Sequence, residues 1–440
     1  MKRPVRYRIN ILTIDDNNRP ITKTILREIT MRKLMMAAAF ALPMLGGAAM
    51  AQDTVKIGYI DPLSGGGASI GEVGFKTYQF LADELNAKGG ILGKKVEIVP
   101  YDNKTNPQES LIQAQKAIDA GVRYLTQGNG SAVAIALAEF VNKYNERNPG
   151  KEVLFFNYAA VDPVLTNEKC SFSHFRWDAN SDIKMAALTN YMKTVPTIKK
   201  IYLINQDYSF GESVRTAARA MLKEKRPDIE IVGDEKHPLL KITDFAPYIA
   251  KIKASGADSV ITGNWGQDIA LLLKAAADAG LKVNWYTYYA GGTGGPTAIK
   301  QAGLNHQVFQ IAEGVANIKH ESSEKFEKAL RAKYDFSLFY PRAVNEMRMF
   351  AAAAEKAKSL EPVKVAAALE GMEFEVFNGG KGFMRKDDHQ FFQPMYIASL
   401  GERKPDEQFD EEKTGWGWHV VAKIDTDKTV LPTTCKMTRP

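Results

Sequence analysis

The chain has 440 residues, 45% of them hydrophobic and 25% charged, which excludes a disordered, collagen-like or multi-span membrane protein. That length is too great for one ordinary core and points to two domains of about 150 residues or somewhat more each. The formal charge of +7 would suggest a nucleic-acid partner, but seven Lys/Arg against three Asp/Glu fall in residues 1–30 and two more positives are Arg32 and Lys33, so the remainder carries only +1. No Lys/Arg stripe with interleaved aromatics follows, so no nucleic acid is expected as partner.

Met31-Arg32-Lys33 precedes an apolar stretch from Leu34 to Met50, broken by Pro43, Gly46 and Gly47, and Ala49-Met50-Ala51 follows. A basic start, an apolar run and small residues at −3 and −1 make residues 31–51 a signal peptide, cut after Ala51. The run is short and interrupted for a spanning helix. No cysteine follows the cut, so no lipid anchor is expected. Residues 1–30 read as an over-extended start ahead of Met31, with a genuine extra segment as the alternative.

From Val55 onward short β-branched or aromatic runs alternate with Gly/Asn/Asp/Pro turns and amphipathic stretches, which is βαβα order. Strands are expected at Val55 to Ile60, Val96 to Tyr101, Arg123 to Gln127 and Val153 to Asn157, with helices starting near Gly71, Pro107 and Ser131. Near-continuous apolar strands imply a parallel sheet covered on both faces. After Phe172 to Arg176 a second series follows, with strands at Lys200 to Asn205, Glu230 to Gly233, Ser259 to Thr262 and Trp285 to Tyr289. Its helices are expected at Ile183 to Lys193, Gly211 to Lys223, Phe245 to Ala254 and Ile269 to Ala279. Beyond Val308 to Gly314 come helices Ser323 to Lys333, Arg342 to Lys358 and Val363 to Leu369, then extended segments from Phe391. The fold class is α/β with two Rossmann-like lobes. Lobe 1 is read as 52–175 plus 312–390 and lobe 2 as 176–311 plus 391–440. Short connections near 175, 312 and 390 carry the chain between them.

Cys170 and Cys435 fit no zinc spacing. Export favours a disulfide between them, and two buried thiols are the plainer alternative.

In open α/β sheets ligands sit beyond the carboxyl ends of the strands, where helix N-termini present N–H groups. Three turns of the first lobe fit: Asp61 to Ala68 with Ser64, Gly128 to Ser131, and Tyr158 to Pro163. Their glycines let a ligand approach the backbone, and free N–H groups with the Ser131 hydroxyl could hold a carboxylate. The second lobe offers Asp207-Tyr208-Ser209-Phe210-Gly211, Asn264-Trp265-Gly266-Gln267 and Ala290 to Gly295 at matching places. Aromatics there could cover an apolar ligand. The plainer readings are ordinary turns for the glycines and lobe packing for Tyr208, Phe210 and Trp265. No His-Glu-x-x-His, nucleophile elbow or phosphate loop occurs, and the six scattered histidines suggest no metal or other cofactor.

The segments Val55 to Gly74 (VKIGYIDPLSGGGASIGEVG), Asn86 to Glu97 (NAKGGILGKKVE) and Tyr101-Asp102-Asn103 with Pro107 resemble the periplasmic leucine/isoleucine/valine-binding protein family of ABC transporters. Asp207 to Gly211 and Lys274 to Leu281 extend the resemblance over almost the whole mature chain. It implies a type I periplasmic binding fold with three crossovers, closure on a ligand, a periplasmic location, and delivery of a small-molecule solute by a monomer to ABC permease subunits. It places the carboxylate-holding turn on Gly130 and Ser131, and the next strand-end contacts on Ala159, Ala160 and Val161. Relatives usually have threonine where Val161 stands, and tyrosine where Trp265 stands; Ile70 occupies another aromatic position. An acid accepting the ligand's ammonium is expected in the turn around Gly291, yet Ala290 to Gly295 contains no Asp or Glu. Either Asp207 substitutes from the neighbouring loop, or the ligand has no amino group. The expected ligand is therefore a branched-chain or other apolar amino acid, with an aromatic or other amine-free carboxylate as the alternative. An exported enzyme on the same fold is the rival of another class.

Overall fold

The computed structural model describes residues 8–14, 20–26 and 54–440. The leader expected at 31–51 lies outside the described residues. β1 (Arg8–Ile14) and β2 (Pro20–Leu26) pair antiparallel within a unit of their own. The second unit, Gln52–Pro440, holds all the remaining elements.

The first half of that unit is built from β3 (Val55–Asp61), α1 (Ala68–Ala87), β4 (Val96–Asp102), α2 (Pro107–Asp119), β5 (Tyr124–Gln127), α3 (Ser131–Arg147), β6 (Leu154–Asn157) and β7 (His174–Arg176). Its five strands lie parallel in the order β4-β3-β5-β6-β7. Successive residues of β6 alternate between two cores. Leu154 and Phe156 join one cluster and Phe155 the other, as the two-residue period of a strand requires. α2 and α3 close one face.

The second half follows with α4 (Ser181–Met192), β8 (Lys200–Gln206), α5 (Ser209–Lys225), β9 (Glu230–His237), α6 (Ala246–Ser255), β10 (Ser259–Thr262), α7 (Gln267–Asp278), β11 (Asn284–Thr287), α8 (Gly295–Gln301) and β12 (Val308–Ala312). The chain then forms α9 (Glu321–Tyr334), α10 (Pro341–Ala357) and α11 (Pro362–Leu369), whose buried side chains join α1 on the other face of the five-stranded sheet. β13 (Glu373–Glu375), β14 (Lys381–Met384) and β15 (Phe391–Phe392) make a small antiparallel sheet. β16 (Met395–Glu402) and β17 (Trp416–Ile424) complete a seven-stranded sheet of order β17-β16-β12-β11-β10-β8-β9, with β8 to β12 parallel and the last two strands antiparallel.

The chain thus passes between the halves three times: after β7, after β12 and at β15. Phe391 packs in the core of the first half and its neighbour Phe392 in that of the second. Cys170 and Cys435 are disulfide-bonded, with Cα atoms 5.7 Å apart, so the C-terminal residues are tied beside β7.

Several elements depart from the sequence expectation, β13 and β14 ahead of Phe391 among them. β9 runs four residues past Gly233, because its pairing with β8 continues through His237. β11 stops at Thr287, which leaves Tyr288 and Tyr289 in a bend. α8 begins at the last residue of a stretch read as a plain turn and extends beyond it; Pro296 sits in its first turn, where a missing N–H costs nothing.

Candidate functional site

A narrow cleft opens where the carboxyl ends of the two sheets face each other. One wall comes from the five-stranded half: Gly128 to Ser131 after β5, Ala159 to Val161 after β6, and Ile70 of α1. The facing wall is aromatic, with Tyr208, Phe210, Trp265 and Tyr289 beside Gly266, and the segment entering α10 adds Phe339, Tyr340 and Arg342.

The first wall is held from behind. Asp61, fully buried at the end of β3, accepts hydrogen bonds from the backbone N–H of Gly128 (3.1 Å) and Asn129 (2.8 Å) and from the Tyr158 hydroxyl (2.6 Å). Burial raises its pKa to about 6 against the pull of those donors. A side chain at Gly128 would put its Cβ 2.6 Å from the Tyr158 ring, so only glycine fits. Gly130 has φ 102°, a conformation open to glycine at little cost. The chain turned there enters α3, whose first N–H groups have no partner within the helix and carry its positive end. Ser131 Oγ accepts the Asp162 N–H at 3.2 Å, which leaves its own proton for an acceptor elsewhere. Asn157 plays the same supporting part at the next turn: Oδ1 accepts the N–H of Ala159 (3.2 Å) and Ala160 (2.8 Å), and Nδ2 donates to the Ala160 carbonyl.

On the aromatic wall, Trp265 Nε1 donates to the Tyr208 hydroxyl at 2.7 Å. Ring centroids lie 5.9 Å apart for Tyr208 and Phe210, and 6.0 Å for Phe210 and Tyr289. Such a surface covers an apolar body while the Tyr208 hydroxyl remains able to donate.

Behind Tyr289 lies a buried ionic quartet. Lys184 pairs with Asp178 and Glu313, each at 2.7 Å, and Arg342 with Asp178 (Nε, 3.2 Å) and Glu313 (Nη1, 2.9 Å). The Tyr289 hydroxyl donates to Asp178 at 3.0 Å. Burial, with Glu313 close by, raises the Asp178 carboxyl against Arg342 and Lys184. In Glu313 those two cations outweigh burial and hold the carboxyl well below its usual range. Two cations face two acids, so no spare negative charge remains here for a ligand's ammonium.

Of the residues singled out in the sequence, Gly130, Ser131, Ala159, Ala160, Val161, Tyr208, Phe210 and Trp265 meet around this one cleft. Ser64, Asp207 and Gly291 do not line it. Ser64 is exposed and donates to Asp102 Oδ2 at 2.5 Å. Asp207 pairs with Lys236 at 2.8 Å on the surface, so it cannot stand in as the acid of the cleft. The Gly291 N–H donates to Gln310 Oε1, and the residue lines a neighbouring polar chamber that shares Tyr289, Phe339 and Arg342 with the cleft and includes Lys184, Glu313 and Glu411. Sequence reasoning missed Tyr289, Phe339, Tyr340 and Arg342. A signal for two of them was present: Leu338-Phe339-Tyr340-Pro341 puts large apolar residues in a loop just ahead of a helix-starting proline, and such residues must be covered by something.

A family model described as periplasmic binding protein matches residues 54–405. The Leu/Ile/Val-binding protein homolog 4 of Brucella abortus (strain 2308) is 33% identical over 414 residues, which cover 92% of this chain and 97% of that one. The leucine-, isoleucine-, valine-, threonine-, and alanine-binding protein of Pseudomonas aeruginosa is 23% identical over 376 residues, 82% of this chain and 94% of that one. Among solved structures, a leucine-, isoleucine-, valine-, threonine-, and alanine-binding protein from Brucella ovis in its closed conformation superposes with a TM-score of 0.77 at 32% identity, covering 88% of this chain and all of the other.

Proposed function

The chain belongs to the periplasmic binding protein family, and from that premise we propose that it captures a small carboxylate with an apolar body and presents it to the permease of an ABC importer. One observation carries the reading. A single cleft brings the positive end of α3 and the Ser131 hydroxyl, on one sheet, against Tyr208, Phe210 and Trp265 on the other. The first wall binds the anion, the second covers the remainder, and ligand stabilises the closed arrangement because it touches both walls only there. The chain acts as a monomeric carrier without catalysis, and it reaches the periplasm through cleavage of residues 31–51.

A branched-chain amino acid is the first ligand to test, since the 33%-identical relative is named for leucine, isoleucine and valine. The lining favours a second reading: it contains no Asp or Glu among the described residues, only Arg342, so an amine-free carboxylate meets no unpaired ammonium cost. Mass spectrometry of co-purified solute, followed by calorimetric titration of leucine beside benzoate, tests both. One-to-one binding of either acid, with the solute recovered unchanged, is expected. Chemical turnover of the solute, or failure of every small carboxylate to bind, would overturn the proposal.

A further inference from the structure

The quartet behind Tyr289 has no role in gripping a carboxylate at Ser131, yet one of its members reaches the cleft. Arg342 is buried, and its Nε and Nη1 face Asp178 and Glu313. Nε meets Asp178 only as an ion pair without a hydrogen bond, and Nη2 has no hydrogen-bond partner in the protein. A buried guanidinium nitrogen left without an acceptor is costly, and a bound solute can supply that acceptor.

The location is fixed by the rings around it. The guanidinium carbon lies 4.8 Å from the Tyr340 ring centroid and 5.7 Å from each of those of Tyr289 and Phe339, and all three rings line the cleft. Two of them touch the anion-holding turns. The Tyr340 hydroxyl donates to Asn129 Oδ1 at 3.1 Å, and the Tyr289 hydroxyl approaches the Ala159 carbonyl at 3.5 Å. Arg342 therefore stands beside rings that reach both anion-holding turns, at the border between the cleft and the polar chamber. Among the described residues of the lining it is the one charged side chain.

We propose that Arg342 is the specificity-determining residue of the cleft, selecting an electronegative acceptor, such as a keto oxygen, over an ammonium beside the ligand's carboxylate. This rests on the carboxylate-receptor reading above and narrows its substrate class to amine-free acids, with 2-oxo acids of apolar side chain the simplest members. An ammonium at that position would meet a like charge and find the nearest acids already paired.

Leucine and 4-methyl-2-oxopentanoate share one carbon skeleton and differ in this group alone, so calorimetric titration of both against the full chain is the test. The wild type is expected to bind the oxo acid at least about tenfold more tightly, equivalent to about 1.4 kcal/mol. Arg342→Met paired with Asp178→Asn removes one charge of each sign, so the buried charge stays balanced, and it should erase that preference. Arg342→Lys, which keeps the charge but not the guanidinium, should retain part of it. Equal or tighter binding of leucine by the wild type would overturn the inference and leave the receptor reading standing. So would an undiminished oxo-acid preference in the folded double variant. Failure of both acids and of benzoate would instead count against the receptor reading.

Discussion

The two walls of the cleft are built on opposite plans. The five-stranded wall is backbone: two turns carrying small side chains, each held by one buried polar residue, Asp61 for Gly128 and Asn129, and Asn157 for Ala159 and Ala160. The seven-stranded wall is side chain: rings in edge-on and tilted contact, with centroids 5.9 to 6.0 Å apart, and joined by one Trp265–Tyr208 hydrogen bond. Under the proposed function, the contrast matches the part of the solute that each wall would bind. An anion is oriented only by dipoles already fixed in place, and fixing them requires buried acceptors. An apolar body needs area and little direction.

That contrast can be broken at its support. Asp61→Ala strands the backbone N–H groups of Gly128 and Asn129 in the interior, each costing about 1–3 kcal/mol. Urea unfolding should show a loss of several kcal/mol, and affinity should fall with it as the α3 turn loosens. Unchanged unfolding and affinity would mean that the turn holds itself. On the other wall, Trp265→Ala removes apolar cover and should weaken binding by about 2 kcal/mol, or about thirtyfold; Trp265→Phe should recover most of it, as read by calorimetry. Ser131→Ala deletes one hydroxyl donor and leaves the helix N-terminus intact, so a loss of about tenfold or less is expected. The smallest effects sharpen the boundary of the site: Ser64→Ala and Asp207→Ala should leave affinity within about twofold, the range expected of surface changes. A large loss from either would move the site outward.

Much of the cleft's first wall was legible in the sequence, because a turn of small residues directly after a short apolar run is a local pattern. Gly128 to Ser131 follow β5 and Tyr158 to Val161 follow β6, and both turns line the cleft. Tyr208, Phe210 and Trp265 were legible for the same reason. Tyr289 was absorbed into an expected strand, since nothing in Trp285 to Tyr289 marks where pairing with β12 ends; in the structure it ends at Thr287. The quartet was invisible because Asp178, Lys184, Glu313 and Arg342 come from three separate segments, and each alone looks like a surface charge. Arg342 in particular read as the start of a helix. Its burial is a tertiary fact, imposed when α10 packs against α1 and its first turn meets Glu313 beyond β12.

The resting place of a solute's carboxylate decides whether the two walls divide the work in this way. A crystal structure of the protein with its co-purified solute retained should show that carboxylate within hydrogen-bonding distance of Ser131 Oγ and the first N–H groups of α3, with the apolar remainder against Phe210 and Trp265. A solute seated in the polar chamber beside Glu313 and Glu411, with the aromatic cleft empty, would contradict that division.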